Sequence, residues 1–156
     1  MPAPEVVSQL SARFSATATA SGVAIPAASL LEALRALRDA HGYRYYVFGM
    51  GTEREAAFEV LHAVRNLDTG DTLFVSVAVP KDAAELDSIA FVYAGAEWQE
   101  REIFDLFGIS FRGHPDLRRI LMPDEYPGHP LRKSFAMDTP WGYRPATAAA
   151  APEGEA

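Results

Sequence analysis

The feature that most limits how this chain can fold is a proline-rich segment near its C-terminal end. Six of the eleven prolines fall between Pro115 and Pro145. Because proline fixes φ and removes a backbone donor, this segment can form neither a long helix nor a central strand. A solvated linker is poor in large apolar residues, so their abundance here predicts an extended C-terminal arm, residues 112–145, that lies over another protein. These apolar residues are Leu117, Ile120, Leu121, Met122, Tyr126, Leu131, Phe135, Trp141 and Tyr143.

The distribution of charge favours a protein partner for this arm. The net charge of the chain is −7, yet residues 112–145 hold six basic and four acidic side chains. An acidic protein is a poor general binder of nucleic acid, so we expect no nucleic-acid partner. A basic segment within an acidic protein instead favours contact with an acidic surface on a partner.

Several kinds of site are excluded by composition and by motif. The chain has no cysteine, whereas iron–sulfur clusters are held by cysteine thiolates and structural zinc sites nearly always use them. Disulfides and cysteine nucleophiles are excluded for the same reason. The tripeptide Gly49-Met50-Gly51 begins like a dinucleotide fingerprint, but Arg54 occupies the third glycine position. We therefore expect no cluster, metal or nucleotide cofactor in this chain.

The hydropathy of the chain is that of a protein without a direct membrane span. No apolar run approaches the roughly 20 residues that cross a bilayer. The first residues carry no basic stretch ahead of an apolar block, so a secretory signal peptide is not predicted. We expect the protein to stay in the cytosol.

Two helices are predicted from apolar spacing and from their end signals. Ser29 and Glu32 fit a capping box, and leucines then recur at helical spacing, which predicts a helix from about 30 to 41. The second helix is predicted from 97 to 107, because Gly108 supplies the left-handed position that favours a helix end.

Strands are predicted where β-branched and aromatic residues cluster. The runs 43–50, 56–66 and 72–80 are separated by turn-forming residues and predict three consecutive antiparallel strands. A weaker alternation predicts a strand or hairpin around 14–25. The stretch 81–94 is predicted to be irregular or a short helical turn.

Together these elements predict an α+β fold. We expect a small, mostly antiparallel sheet of three to four strands packed with two main helices and followed by the long extended C-terminal arm. The chain is accordingly divided into a flexible N-terminus at 1–12, an α+β domain at 13–111, the partner-wrapping arm at 112–145 and a disordered tail at 146–156.

The second predicted helix interleaves charged and aromatic residues, which places at least one charge in a partly buried position. Its charges include Glu100, Arg101, Glu102 and Asp105. Glu97 and Arg101 stand at i and i+4 in the favourable order, so a solvated face explains part of the pattern. Acid–base catalysis by Glu102 and Asp105 would need a cleft and a raised pKa, and no feature of the sequence supplies either. Partner contacts are the alternative to a solvated face.

Two histidines of the C-terminal arm, His114 and His129, stand in Gly-His-Pro tripeptides. A residue before proline is pushed to extended geometry, and its ring can bond a neighbouring backbone group or a partner carboxylate. The acids between them, Asp116, Asp124 and Glu125, leave a hydrolytic metal site open, although the spacing matches no compact ligand motif. We predict structural or interfacial roles for both histidines.

Two basic pairs lie beside apolar runs of the arm: Arg118 with Arg119, and Arg132 with Lys133. A charge pair is usually a solvated face. Arginine forks, however, suit bidentate pairing with carboxylates and are enriched at interface hot spots. We therefore predict that these pairs anchor the arm on its partner.

The segment EREIFDLFGISFRGHPDLRRILMP, followed by GHPLRK, resembles the C-type subunit of the proton-pumping NADH–quinone oxidoreductase, the 30 kDa subunit family of respiratory complex I. The chain departs from the family pattern at 125–128, where the family has an acid-Trp-acid-Gly run, and at Ser134, where it has an acid. The family signature falls here on Glu100, Arg101, Glu102, Asp105, Leu106, Phe107, His114 and Arg118.

This resemblance implies a hydrophilic, cofactor-free subunit of the complex's peripheral arm, located at the cytoplasmic side of the cell membrane. Its C-terminal segment is expected to wrap the D-type subunit that helps form the quinone site. NADH, FMN, iron–sulfur clusters and quinone then belong to the assembled proton-translocating enzyme, and no catalytic residue is expected in this chain. Partner contacts are expected at Glu100, Arg101, Glu102, Asp105, His114, Arg118, Arg119, His129, Arg132 and Lys133.

Two other functions stay open at this point. Related membrane-bound hydrogenases and ferredoxin- or reduced-deazaflavin-dependent quinone reductases use a similar subunit, so the electron donor of the complex can differ. A more distant alternative is a free-standing metal hydrolase built on His114, His129 and the acids between them. Genome neighbourhood separates the first alternative, and metal analysis of the isolated chain separates the second.

Overall fold

The computed structural model describes residues 4–135, which form three α-helices and seven strands. Predictions for 1–3 and 136–156, including the disordered tail, lie outside the described residues. The helices are α1 (Pro4–Phe14), α2 (Leu30–Ala40) and α3 (Ala96–Phe107). The strands are β1 (Thr17–Ala18), β2 (Gly22–Ala24), β3 (Tyr45–Glu53), β4 (Ala57–Arg65), β5 (Thr72–Pro80), β6 (Glu85–Asp87) and β7 (Ser110–Arg112).

Five of these strands form one sheet in the order β1-β2-β5-β4-β3. Strands β3, β4 and β5 are consecutive and antiparallel, as predicted. Strand β2 pairs with β5 in parallel, with Val23 opposite Val75, and β1 pairs with β2 in antiparallel fashion. Strands β6 and β7 form a separate parallel pair. The main sheet is therefore mixed, but mostly antiparallel.

The core depends on the alternation of β4 and β5. Side chains of a strand point to opposite faces in turn, and the apolar residues of β5 follow this period. Leu73, Val75, Val77 and Val79 are buried, whereas the residues between them are less so. Helix α2 contributes residues spaced about one helical turn apart: Leu30, Ala33, Leu34 and Leu37.

The α+β class is confirmed, and both predicted helices are present. Helix α2 starts one residue after Ser29, but the Ser29 side chain makes no capping hydrogen bond, so the predicted capping box does not form. The short 3-10 helix Ala27–Ser29 leads directly into α2 instead. Helix α3 ends as predicted, because Gly108 has a φ of 70° and bonds back to the Phe104 carbonyl.

The start of the chain differs from the prediction. Residues 4–14 form α1 rather than a loosely held segment, and α1 buries Leu10 and Phe14 in the core. The predicted strand around 14–25 is reduced to the two short strands β1 and β2. The irregular stretch after β5 contains β6, whose partner β7 lies far along the chain. Strands β1 and β2 raise the main sheet to five strands, and α1 raises the α-helices of the described residues to three.

Two glycines of β3 occupy tightly packed positions, Gly49 beside the Tyr46 side chain and Gly51 beside α3. A Cβ on Gly49 would lie 2.3 Å from the Tyr46 hydroxyl, which is 3.0 Å from Nδ1 of the buried His62. Burial lowers the pKa of His62 to about 4, so its ring is neutral. A Cβ on Gly51 would lie 2.9 Å from the Phe107 ring. Gly51 thus serves helix–strand packing, and Gly49 leaves room for the Tyr46 side chain.

We predict that Gly51→Ala destabilises the domain by about 1–3 kcal/mol, because the added methyl overpacks the contact between β3 and α3. The free energy of unfolding, measured by chemical denaturation, checks this. Met50→Ala is the matched control, since it shortens a side chain that is 46% exposed, and it should change stability by no more than about 0.5 kcal/mol. Equal stability of the Gly51 variant and the parent would contradict the packing role.

Candidate functional site

The candidate site is the contact between α3 and residues 113–135 of the C-terminal arm. These arm residues form neither helix nor strand, as predicted, but they are held by α3 of the same chain. We call the side chains that fasten α3 to the arm and to the segment after β6 the clamp. The clamp consists of Glu100, Arg101 and Asp105 of α3 with His114, Arg119, His129 and Arg132 of the arm.

Asp105 lies at the centre of the clamp, with 0% of the residue exposed. Its Oδ2 accepts hydrogen bonds from the backbone N–H groups of Ile120, Leu121 and Met122 at 3.1, 2.8 and 2.8 Å. Its Oδ1 accepts a bond from Arg119 Nη1 at 3.0 Å. Burial by itself raises the pKa of this carboxyl, but the four donors outweigh burial and the pKa is lowered. The ionised carboxylate therefore fixes three consecutive arm residues.

Arg119 and His129 fold the arm over Asp105. The Nη1 and Nη2 atoms of Arg119 both donate to the Gly128 carbonyl at 3.1 Å. His129 Nδ1 donates to the backbone carbonyl of Asp105 at 2.8 Å, and its ring packs edge-on against Phe104. Burial, assisted by two nearby guanidinium groups, lowers the pKa of His129. The neutral ring is thus the form that the site favours.

Arg101 is a buried cation that holds backbone carbonyls of the arm. Its Nε donates to the carbonyl of Arg118 and its Nη2 to that of Arg119, both at 3.1 Å. The guanidinium carbon also lies 5.0 Å from the ring centroid of Trp98. Carbonyl oxygens and an aromatic face therefore replace water around this charge.

Glu100 fastens α3 to the segment that follows β6. The residue is 1% exposed, and its Oε1 accepts the N–H of Ile89 at 2.7 Å. Its Oε2 accepts the hydroxyl of Ser88 at 2.6 Å. Burial is the largest influence and raises the pKa of Glu100 in spite of these two bonds.

His114 links the start of the arm to α3. Its Nδ1 accepts the N–H of Asp116 at 3.0 Å, so Nε2 carries the ring proton in this arrangement. Nε2 then donates to the Glu97 carbonyl at 3.0 Å. It also lies 3.9 Å from Oε2 of Glu100. That distance is beyond hydrogen-bond range, so the hydrogen bonds of the ring are those to the two backbone groups.

Arg132 caps the C-terminal end of α3. Its Nε donates to the Phe107 carbonyl at 2.5 Å and its Nη2 to the Gly108 carbonyl at 3.2 Å. A cation is favoured here because the last carbonyls of a helix lack partners within it. A Cβ on Gly108 would lie 2.4 Å from the His129 ring and 2.6 Å from the Arg132 guanidinium. Gly108 is thus needed for close approach as well as for its positive φ.

Three of the ten predicted site residues lie outside the clamp. Glu102 is exposed on α3. Arg118 is exposed and pairs with Asp116 at 2.9 Å. Lys133 uses its backbone N–H to bond Glu53 while its side chain is exposed. The predicted partner contacts of these three residues stay predictions.

Sequence reasoning missed two residues that complete the arrangement. Ser88 binds Glu100, and no local pattern in the sequence marks it. Glu53 binds the Lys133 N–H and, at 2.6 Å, the ammonium group of Lys81. The interleaved charges of α3 indicated that buried partners exist, but the pattern does not say which segment supplies them.

The contacts of the clamp are structural. Both ring nitrogens of His114 and Nδ1 of His129 are engaged with backbone groups. Across residues 4–135, no group of three or more His, Cys, Asp or Glu side chains is arranged to hold a metal ion. None of the helices in this part of the chain has the length and apolar character that crossing a bilayer requires.

Comparison with known proteins gives a family match over most of the chain. The model of the family described as the respiratory-chain NADH dehydrogenase 30 Kd subunit matches residues 23–140. The C subunit of the NADH-quinone oxidoreductase of Phenylobacterium zucineum is 43% identical over 72% of this chain and 54% of its own length. The C subunit of Geobacter metallireducens is 41% identical over 56% of this chain and 54% of its own length. The chain thus spans about half the length of the curated relatives it matches.

A fused relative and two solved structures extend the comparison. A combined C/D subunit of Chromohalobacter salexigens is 44% identical over 51% of this chain and 14% of its own length. The trypsin-resistant fragment 1–134 of Nqo5 superposes with a TM-score of 0.61 at 28% identity, covering 72% of this chain and 97% of the fragment. A chain of the archaeal membrane-bound sulfane sulfur reductase superposes with a TM-score of 0.71 at 21% identity, covering 85% of each chain. The last similarity is one of fold.

We predict that Asp105→Asn loosens residues 113–135, because the neutral amide binds the three N–H groups and Arg119 less strongly. Loss of charge-assisted bonds of this kind costs about 1.5–3 kcal/mol. Limited proteolysis of the isolated chain checks this, with new cleavage expected after Gly113. Glu102→Gln, an exposed change on the same helix, should leave the digest unaltered. An unchanged digest for the Asp105 variant would contradict the central role of this carboxylate.

The same substitution yields a pH dependence. Because the folded pKa of Asp105 is lowered, its carboxylate contributes stability above its ordinary pKa of about 4, and this contribution is lost as the pH falls through the folded value. We therefore expect the difference in unfolding free energy between the parent and Asp105→Asn to be constant near neutral pH and to shrink below about pH 4. A difference that grows on acidification would contradict the sign of this shift.

Proposed function

We propose that this chain, which belongs to the family of the respiratory-chain NADH dehydrogenase 30 kDa subunit, is a cofactor-free structural subunit in the peripheral arm of a proton-translocating NADH:quinone oxidoreductase. Its role is to dock on the D-type subunit that forms the quinone site. The assembled enzyme carries the NADH, FMN, iron–sulfur and quinone chemistry. The chain associates with the membrane, at its cytoplasmic side, through the other subunits.

The observation that carries this proposal is the two-sided character of the arm. On one side, the clamp ties residues 113–135 to α3 through Asp105 and Arg101. On the other side, large apolar residues face outward, with Leu121 and Leu131 both exposed. Every residue from 112 to 135 is at least partly exposed, so the arm forms a single layer on the domain. A partner that covers this layer completes its burial.

The names of the relatives support a D-type partner. Those of Phenylobacterium zucineum and Geobacter metallireducens are named as C subunits, and that of Chromohalobacter salexigens is named as a C/D subunit. Joining a C-type and a D-type sequence in one polypeptide fits two surfaces that lie together. We infer the same pairing for this chain, with the outer face of the arm as the contact.

A related complex with another electron donor is the second candidate function. The fold similarity to a chain of the membrane-bound sulfane sulfur reductase favours it, because that protein is an archaeal respiratory membrane complex. Activity of the purified complex with NADH compared with reduced ferredoxin or deazaflavin separates the two. The metal hydrolase is disfavoured, since His114 has no ring nitrogen left for a metal.

We predict that Arg118→Ala lowers assembly of the complex while leaving the domain folded. Arg118 is exposed on the arm, so its loss should change domain stability by no more than about 0.5 kcal/mol. If the proposed interface buries it against a partner carboxylate, the loss to docking is roughly 2–5 kcal/mol. Native electrophoresis and NADH–quinone activity per assembled complex are the measurements.

Arg65→Ala is the matched control for this test, because Arg65 is exposed at the end of β4, on another part of the domain. It should assemble like the parent. A fully assembled but inactive Arg118 variant would contradict the docking role and assign the residue to catalysis or coupling.

We also predict that the chain purified alone carries no flavin, nucleotide, cluster or stoichiometric metal. A cluster is not expected because the chain has no cysteine to hold it. A bound metal is not expected because ring nitrogens of the histidines are engaged with backbone groups. Elemental analysis and an absorption spectrum are the measurements. A visible absorption band that survives purification would overturn the cofactor-free assignment.

A further inference from the structure

The two edge strands of the main sheet differ greatly in length. One edge is β1, which has two residues, and such a short strand offers little backbone for another chain to pair with. The other edge is β3, which has nine residues. Within residues 4–135, no backbone segment pairs with the side of β3 that faces away from β4. A long edge strand of this kind exposes a row of unpaired N–H and C=O groups.

The sequence of β3 lacks most of the features that protect an edge. Natural edge strands are blunted by charged residues, proline, bulges or a covering segment. Residues 45–52 contain neither a charged residue nor a proline. The pairing with β4 is irregular between Tyr46 and Phe48, but it is regular from there to Glu53. The side chains of Tyr45 and Met50 are 52% and 46% exposed.

A groove runs beside this edge, and the charged residue in its lining is acidic. It has a volume of about 210 Å³ and lies between β3 and the flank of α3. Its walls include Gly49, Met50 and Gly51 of β3 and Glu102 and Leu106 of α3. Leu131 of the arm closes the groove. The two glycines contribute no side chain to the walls of the groove.

Glu102 gives the groove its electrostatic character. It is exposed and, in the part of the chain that the structure describes, makes no hydrogen bond or ion pair. The basic residue next to it on α3, Arg101, is buried against the arm and does not neutralise the groove. An acid among apolar and glycine surfaces is complementary to a segment that carries one basic residue among apolar ones.

From these observations we propose that the free edge of β3 receives an extended segment of a partner protein as a sixth strand of the sheet, with a lysine or arginine of that segment paired with Glu102. Main-chain hydrogen bonds to β3 provide the affinity of such an added strand. The groove provides the specificity, through apolar contacts at Met50 and Leu131 and the charge at Glu102. Apart from Leu131, this surface belongs to β3 and α3 rather than to the outer face of the arm, so the proposal goes beyond the docking role given above.

Hydrogen exchange of the β3 amides tests the proposal. The tagged full-length chain is compared alone and in the assembly purified from its own cells, and residues 113–135 report on arm docking in the same data. Amides of β3 that face β4 are the internal control, since they should exchange slowly in both states. Amides on the free edge should exchange fast in the isolated chain and be slowed about tenfold or more in the assembly.

The charge is tested in the same assembly. Glu102→Lys should remove the slowing of the β3 edge amides, whereas Glu55→Lys, an equal charge change on the exposed β3–β4 turn, should preserve it. A photocrosslinker placed at position 50 should join to an extended partner segment that contains a lysine or arginine.

Four results would overturn the proposal. Edge amides that stay fast in the assembly would exclude strand addition, even with a crosslink present. Edge amides that are already slow in the isolated chain would assign the edge to residues beyond 135 or to a second copy, and sedimentation distinguishes these two. A crosslinked segment without a basic residue, or unchanged protection in Glu102→Lys, would exclude the charge pairing.

Discussion

The buried carboxylate of Asp105 is the interaction on which the position of the C-terminal arm depends. A buried ionised carboxylate is costly unless donors surround it, and α3 has few to offer because its own N–H groups bond within the helix. The arm has the opposite deficit, since a proline-rich segment cannot pair its N–H groups in a regular element. Ile120, Leu121 and Met122 supply three such groups to Asp105. Each segment therefore satisfies groups that the other leaves unpaired, and Arg101 does the same for two arm carbonyls.

The parts of the fold that could be predicted from the sequence are those that local sequence patterns determine. The β3–β4–β5 meander and the two central helices follow from alternation, helical spacing and Gly108. The pairing of Val23 with Val75 was not predictable, because a short strand that joins a distant neighbour in parallel has no local signature. Helix α1 was missed because residues at the start of the chain were expected to be loosely held. The contacts of Leu10 and Phe14 with the core show why the helix forms.

The candidate site also has a part that local sequence patterns predicted and a part that they did not. Interleaving of charge and aromatic residues on α3 correctly indicated burial of charge, and the structure buries Glu100, Arg101 and Asp105. The sequence did not reveal their partners, because hydrogen bonds to backbone groups leave no trace in the identity of the residues that provide them. The partner contacts predicted for Arg119 and Arg132 stay predictions, and the structure adds that both guanidinium groups bind within the chain. Arg118 differs from them in the direction of its side chain, which is exposed. That direction depends on the path of the arm.

The clamp also bears on how strongly an arm of this kind can bind. Fixing the backbone of one residue costs about 1–2 kcal/mol, so a free segment loses much of its binding free energy when it becomes ordered on a partner. Residues 118–122 are already fixed by Asp105 and Arg101, and 128–132 by Arg119, His129 and Arg132. An arm held in this way loses less conformational entropy on docking than a free one. The buried charges of α3 thus favour docking without contacting the partner, because they order the surface to which the partner binds.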